Sequence, residues 1–200
     1  MFDKRLNYVI IGVFAALTAL SVHYAGNIKF DFSFDVFFPK DDPDRLFYNT
    51  FSSNFEPDDN YVLVGISHKP DIFDRTFLQK VDSFTKVAAD LPHIIRAQSL
   101  TTLKRPLIFS GNVASVPVLS IDQPEKYATD SAKMINDSRL VGRFVAPDAE
   151  ALAVVLTTDS ILHLKESQRL NSALEDLVEE FDFEEVYIAG RPHYQALLAE

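Results

Sequence analysis

Cysteine is absent from this 200-residue chain. Its absence excludes a disulfide framework, a thiolate nucleophile and a cysteine-ligated zinc site. A basic excess is lacking too: Lys and Arg number 19 against 29 Asp and Glu. Phosphate binding needs a Lys/Arg surface, and no basic stripe with interleaved aromatics is present, so nucleic acid is excluded as a partner. No G-x-S-x-G elbow, P-loop or dinucleotide fingerprint occurs. Internal repeats and low-complexity tracts are missing as well. The chain reads as a non-enzyme without a cofactor.

What is present begins at the N-terminus. Residues 6–25 read LNYVIIGVFAALTALSVHYA, with no Asp, Glu, Lys or Arg. At 1.5 Å of rise per residue, twenty residues span a hydrocarbon core of about 30 Å. Nine of them are Leu, Ile, Val or Phe, contributing on the order of −3 to −5 kcal/mol to insertion. His23 lies near the outer end, where Tyr24 suits the interface. Lys4 and Arg5 precede the span, while Asp31 and Asp35 dominate the far side against Lys29 alone. The positive-inside rule therefore predicts a cytosolic N-terminus in the inner (plasma) membrane, with the main domain extracytosolic. A cleaved signal peptide, cut at Ala25-Gly26, is the competing reading. The apolar stretch is longer than a usual signal core and no A-x-A site closes it.

Behind the anchor, Phe30, Phe32 and Phe34 alternate with Asp31, Ser33 and Asp35, the period of a strand. Asp41 or Asp42 can then cap a helix, with Pro43 at a first position where its missing N–H costs nothing. Residues 61–66 (YVLVGI) form an apolar run bounded by polar turns, which predicts a strand. Residues 76–91 place Phe77, Val81, Phe84, Ala88 and Leu91 on one helical stripe. Strands are expected at 94–100, 151–156 and 186–189, with a helix carrying Leu170, Leu174, Leu177, Val178 and Phe181 before the last. In the 103–150 insertion, Pro106, Gly111 and Pro117 break any long element, and a helix over 130–141 is expected.

This order, β-α-β, insertion, β-α-β, predicts an α+β ferredoxin-like (split βαβ) domain over residues 28–190, behind a tip and span at 1–27. The first and third strands are the continuous apolar runs, as central strands should be, while the second carries His93 and Arg96. Two helices cover only one sheet face. The other should meet the insertion, a second domain or another protomer.

Candidate chemistry is thin. Asp41, Asp42 and Asp44 lack the calcium-loop spacing and its glycine, so capping is the expected role. Glu56, Asp58 and Asp59 flank Pro57 in what reads as a turn. His163 and Glu166 share a helical face without a second histidine at i+4, so the zinc-protease pattern fails. Ser110 and Ser131 have no evident base. Asn136-Asp137-Ser138 is a formal glycosylation acceptor. No catalytic, cofactor or metal residues are assigned. Residues 191–200 start an amphipathic helix, with Tyr194, Leu197 and Leu198 on one stripe and no cap by Glu200. The expectation is that the reading frame continues toward a second membrane helix.

Three stretches, in order and spacing, carry a resemblance: FFPKDDPDRLFYNTFSSNFEPDDNYVLVGI, SAKMINDSRLVGRFVAPDAEALAVVLTT and YIAGRPHYQALLAE. Behind a basic N-terminus and a Phe-rich exit, the chain resembles the first membrane helix and first porter-type domain of resistance-nodulation-division (RND) exporters. The MMPL-like branch, relatives of Patched and of hopanoid and lipid exporters, is the nearest. The resemblance covers essentially the whole chain, through loose patterns rather than invariant signatures. It implies export of hydrophobic or lipid-like substrates driven by the proton gradient, with a ferredoxin-like porter domain shaping the path. The implied partners are the lipid bilayer, such a substrate, and the remaining domains of the transporter or another protomer. The family's proton-relay carboxylates lie in later membrane helices, so none is carried onto this chain. The alternative is a single-pass anchor bearing an extracytosolic ligand-binding or interaction domain.

Overall fold

The computed structural model describes residues 4–25, 39, 41–55, 60–109 and 112–198. The strand expected at residues 30–35 and the turn at Glu56, Asp58 and Asp59 lie outside the described residues. Helix α1 (Lys4–Ala25) belongs to one compact unit, and all later elements belong to another. Within α1, residues Asn7–Ala25 are long and apolar enough to cross a membrane. Tyr8, Phe14 and Val22 along it are 74%, 68% and 69% exposed.

Helix α2 (Pro43–Asn54) starts as its sequence requires. The Asp42 carboxylate accepts the N–H groups of Asp44 at 2.9 Å and Arg45 at 3.1 Å. Pro43 occupies the first turn, where no donor is missed. Phe47, Phe51 and Phe55 recur every four residues and stack, with centroids 6.4 and 4.6 Å apart.

The main sheet contains β1 (Tyr61–Ser67), β2 (Ile94–Gln98), β5 (Ala151–Thr158) and β6 (Glu185–Ala189), in the order β2-β5-β1-β6. All neighbouring strands are antiparallel, and Val64 sits opposite Val154 on one side and Ile188 on the other. Alternation then sorts the faces. Val62, Val64, Ile66, Leu152, Val154 and Leu156 are at most 2% exposed. Against them lie the apolar stripes of α3 (Arg75–Ala88) and α5 (Leu164–Phe181), including Phe84, Leu170 and Leu174. Each fully buried Val, Leu or Phe contributes about 1.5–3 kcal/mol, so this face dominates the stability of the domain. The chain is thus a mixed α+β protein, an apolar N-terminal helix with a small antiparallel-sheet domain.

Several boundaries depart from the expectations. Helix α3 ends at Ala88 rather than Leu91, because Pro92 disfavours helical backbone at Leu91. The last amides tighten into i−3 bonds, Asp90 N–H to Val87 O at 3.0 Å and Leu91 N–H to Ala88 O at 3.3 Å. Strand β2 stops at Gln98, where the Thr102 hydroxyl accepts the Ser99 N–H at 2.9 Å and folds a turn. The insertion is more regular than expected. Strands β3 (Lys104–Phe109) and β4 (Asn112–Pro117) pair antiparallel, with Pro106 opposite Ser115. A hairpin of two strands has only edges, and an edge accommodates proline. Helix α4 (Tyr127–Ile135) starts earlier and ends six residues sooner than expected. The Asp137 carboxylate accepts the Arg139 N–H at 3.0 Å, an Asx turn that competes with helix continuation.

The second sheet face is only partly covered. Leu63, Gly65, Ala153 and Val155 are half-buried, while Tyr61 and Tyr187 are 41% and 62% exposed. Residues 144–146 run beside β5 where β2 does not reach: Ala153 N–H donates to Phe144 O at 3.0 Å, and Ala146 N–H to Ala151 O at 2.9 Å. Of the covers anticipated for this face, the insertion supplies a corner.

Candidate functional site

The acidic run at the start of α2 does not form a cage. Asp42 spends its carboxylate on the helix N–H groups, as its position demands. No group of three or more His, Asp or Glu able to hold a metal exists among the described residues.

The histidines are dispersed, each beside a different neighbour. His23 meets Tyr24 edge-on at 5.5 Å, and His68 stacks on Phe77 at 4.3 Å. His93 lies 3.4 Å from the Asp159 carboxylate at the surface. That carboxyl is held below its ordinary range by the Ser160 hydroxyl first and His93 second. His163 and Glu166, neighbours by sequence, do come together, but at a helix start: the Glu166 carboxylate accepts the His163 N–H at 3.0 Å. This lock satisfies a donor the helix cannot.

Ser131 donates back to Ala128 O at 3.2 Å within its own helix, and Ser110 lies outside the described residues. Asn136 donates to Ala132 O at 2.7 Å.

Two polar arrangements escaped the sequence reading. Thr85, Ser99 and Thr101 are all buried, with Thr85 Oγ1 3.0 Å from Ser99 Oγ and Ser99 Oγ 2.8 Å from Thr101 Oγ1. Thr85 Oγ1 also lies 2.7 Å from the Val81 carbonyl oxygen, which can only accept. Each hydroxyl has one proton, so a consistent assignment runs Thr101 to Ser99 to Thr85 to Val81 O. The chain of hydroxyls ties the turn after β2 to α3 and contains no base.

The second arrangement joins α5 to α6 (Arg191–Leu197). Ser167 Oγ donates to Gln195 Oε1 at 3.2 Å, and His193 Nδ1 lies 2.6 Å from Asn171 Oδ1. Asn171 in turn donates to Glu175 at 2.9 Å. The signal was available, since Ser167 and Asn171 interrupt the stripe of Leu170 and Leu174. Polar residues on a core stripe mark a polar contact surface.

Concave space is limited. One cleft of about 240 Å³ opens at the base of the β3–β4 hairpin, between Lys104, Arg105, Met134 and Phe144. Another, of about 230 Å³, lies on the half-covered sheet face between Leu63, Ala153 and residues 142–146. Both fall below the 300–1,000 Å³ of usual small-molecule sites. The chemistry on offer is surface recognition: an aromatic ladder on α2, a half-bare sheet face, and a hairpin with apolar strands. No protein-family model matches the chain, and no curated protein matches it.

Proposed function

We propose that this chain is the N-terminal part of an RND/MMPL-like membrane transporter that exports hydrophobic or lipid-like molecules at the expense of the proton gradient. On this reading α1 anchors it with the N-terminus cytosolic, and the sheet domain forms part of the extracytosolic substrate path. The observation that carries the reading is the strand order β2-β5-β1-β6 behind an apolar span. Numbered within the sheet alone, this is second, third, first, fourth, which agrees with the ferredoxin-like split βαβ unit, the porter fold the resemblance implies. The half-covered face supports it further, because an apolar sheet surface calls for a neighbouring domain. The domain's part in transport is structural: it positions surfaces and performs no bond chemistry.

Supporting the alternative, a single-pass anchored interaction domain, is the exposed α2 ladder of Phe47, Phe51 and Phe55. The two readings separate by experiment. A deletion strain should accumulate a lipophilic fluorescent dye above the parent, and an uncoupler should raise the parent to the same level. A Ser160→Cys variant, unique in a cysteine-free chain, should react with an impermeant maleimide in intact cells. Equal dye levels together with surface labelling would leave the anchored interaction domain and remove the exporter.

A further inference from the structure

The β3–β4 hairpin is exposed on both of its faces. Ile108 and Val113, paired across the strands, are 75% and 72% exposed, and Leu107, on the opposite face, is 50% exposed. A two-stranded ribbon is marginal in water on its own. A groove on a protein takes one face of a ribbon, whereas a liquid apolar phase solvates both.

Charge points to the same occupant. The chain carries a net charge of −10, yet Lys104 and Arg105 stand together, exposed, at the hairpin base. Neither has an ion-pair partner among the described residues, unlike nearby Arg139 and Lys133, which reach Asp137 at 2.7 Å and Asp130 at 3.9 Å. Ile108 lies four residues from Lys104, about 13 Å along an extended strand. Cations at headgroup level would thus leave Ile108 at the headgroup/acyl boundary, the usual depth of interfacial elements. Deeper entry is prevented, because the ribbon's unpaired edge N–H and C=O groups need polar partners.

We propose that the β3–β4 hairpin lays Leu107, Ile108 and Val113 into the surface of an anionic bilayer, with Lys104 and Arg105 binding lipid phosphates. The inference rests on the anchor reading of α1, which holds the domain beside a membrane, and not on the transport step.

The full chain, carrying Ile108→Cys with an environment-sensitive label, is reconstituted into phosphatidylcholine vesicles containing about 30 mol % phosphatidylglycerol. A label at Glu179→Cys, exposed on α5, serves as reference. Label 108 should be blue-shifted and quenched by a nitroxide on the upper acyl chain, and label 179 should be neither. Adding Lys104→Glu and Arg105→Glu should lower the buried-to-exposed ratio of label 108 by on the order of tenfold or more. An aqueous spectrum at 108, in chains that float with the vesicles, overturns the hairpin proposal alone. So does a shifted label that no lipid-borne quencher reaches, since another protein surface then covers position 108. Quenching indifferent to the charge reversals overturns the role of the two cations. Chains that fail to float overturn the anchor and the hairpin proposal together.

Discussion

Gly190, just past β6, runs so close to β1 that a Cβ placed on it would overlap the carbonyl oxygen of Tyr61 and lie 3.1 Å from Val62 Cα. Its φ of +126° is already closed to L side chains. This one residue lets the chain turn from an edge strand into α6 while hugging the central strand.

Gly190→Ala should therefore destabilise the domain by about 2 kcal/mol or more, strain and overlap adding. Gly142→Ala is the matched control: φ there is +79°, but nothing lies within 4 Å of the new methyl. Its cost should stay near 1 kcal/mol, from the left-handed backbone alone. Urea unfolding of both variants in detergent checks this, and equal midpoint shifts would sink the close-approach argument.

Ser99→Ala should cost about 1–3 kcal/mol, because Thr85 loses a donor and Thr101 an acceptor in a site without water access. Thr85→Val removes the neighbouring hydroxyl with little change of shape. Combined, the two should cost less than the sum of the singles. A double-mutant cycle showing plain additivity would mean that the hydroxyls are not coupled.

Asp42→Ala should fray the start of α2 at a cost of about 1 kcal/mol. The exchange rates of the α2 amides should rise, while global unfolding of the sheet domain moves little. Asp41→Ala, at a residue outside the cap bonds, should do much less. Normal α2 protection in Asp42→Ala would overturn the capping role.

The Arg139 guanidinium, and then its backbone N–H, hold the Asp137 carboxyl at about 2, below its ordinary 3.8. A depressed carboxyl stabilises the fold above its unfolded value, and that contribution disappears as pH falls through about 2. The loop after α4 should accordingly be insensitive to pH between 5 and 8. It should loosen only on strong acidification. A carboxyl-detected NMR titration reads the value directly, and an ordinary midpoint would show the ion pair to be absent in solution. In Asp137→Asn the Arg139 side chain should lose its order at neutral pH.

Much of the domain was legible because its signals are local. The apolar runs YVLVGI and ALAVVL, the stripe through Phe77, Val81 and Phe84, and the carboxylate of Asp42 act within one or two turns of chain. The cap of α3, where the Asp74 carboxylate accepts the Phe77 N–H at 2.8 Å, went unread. The absence of an obvious catalytic motif was equally local, since nucleophile and ligand patterns have fixed spacings. The hairpin at 104–117 was hidden by Pro106, whose penalty depends on which neighbour its missing N–H would have faced. The end of α4 was misread because the Asx turn at Asp137 competes with the helix only once Arg139 folds back upon it.

The sequence by itself determined an apolar span, two β-α-β runs and the buried stripes of α3 and α5, since period and capping are properties of consecutive residues; the stripe read at Tyr194, Leu197 and Leu198 is exposed instead. Only the tertiary structure decided that residues 144–146 run beside the end of β5, and that Ser99 meets Thr85. It also decided that one sheet face stays half bare and that two cations crown an apolar ribbon. Those outcomes depend on residues far apart in the chain, whose meeting must repay a loop-closure entropy that no local pattern records.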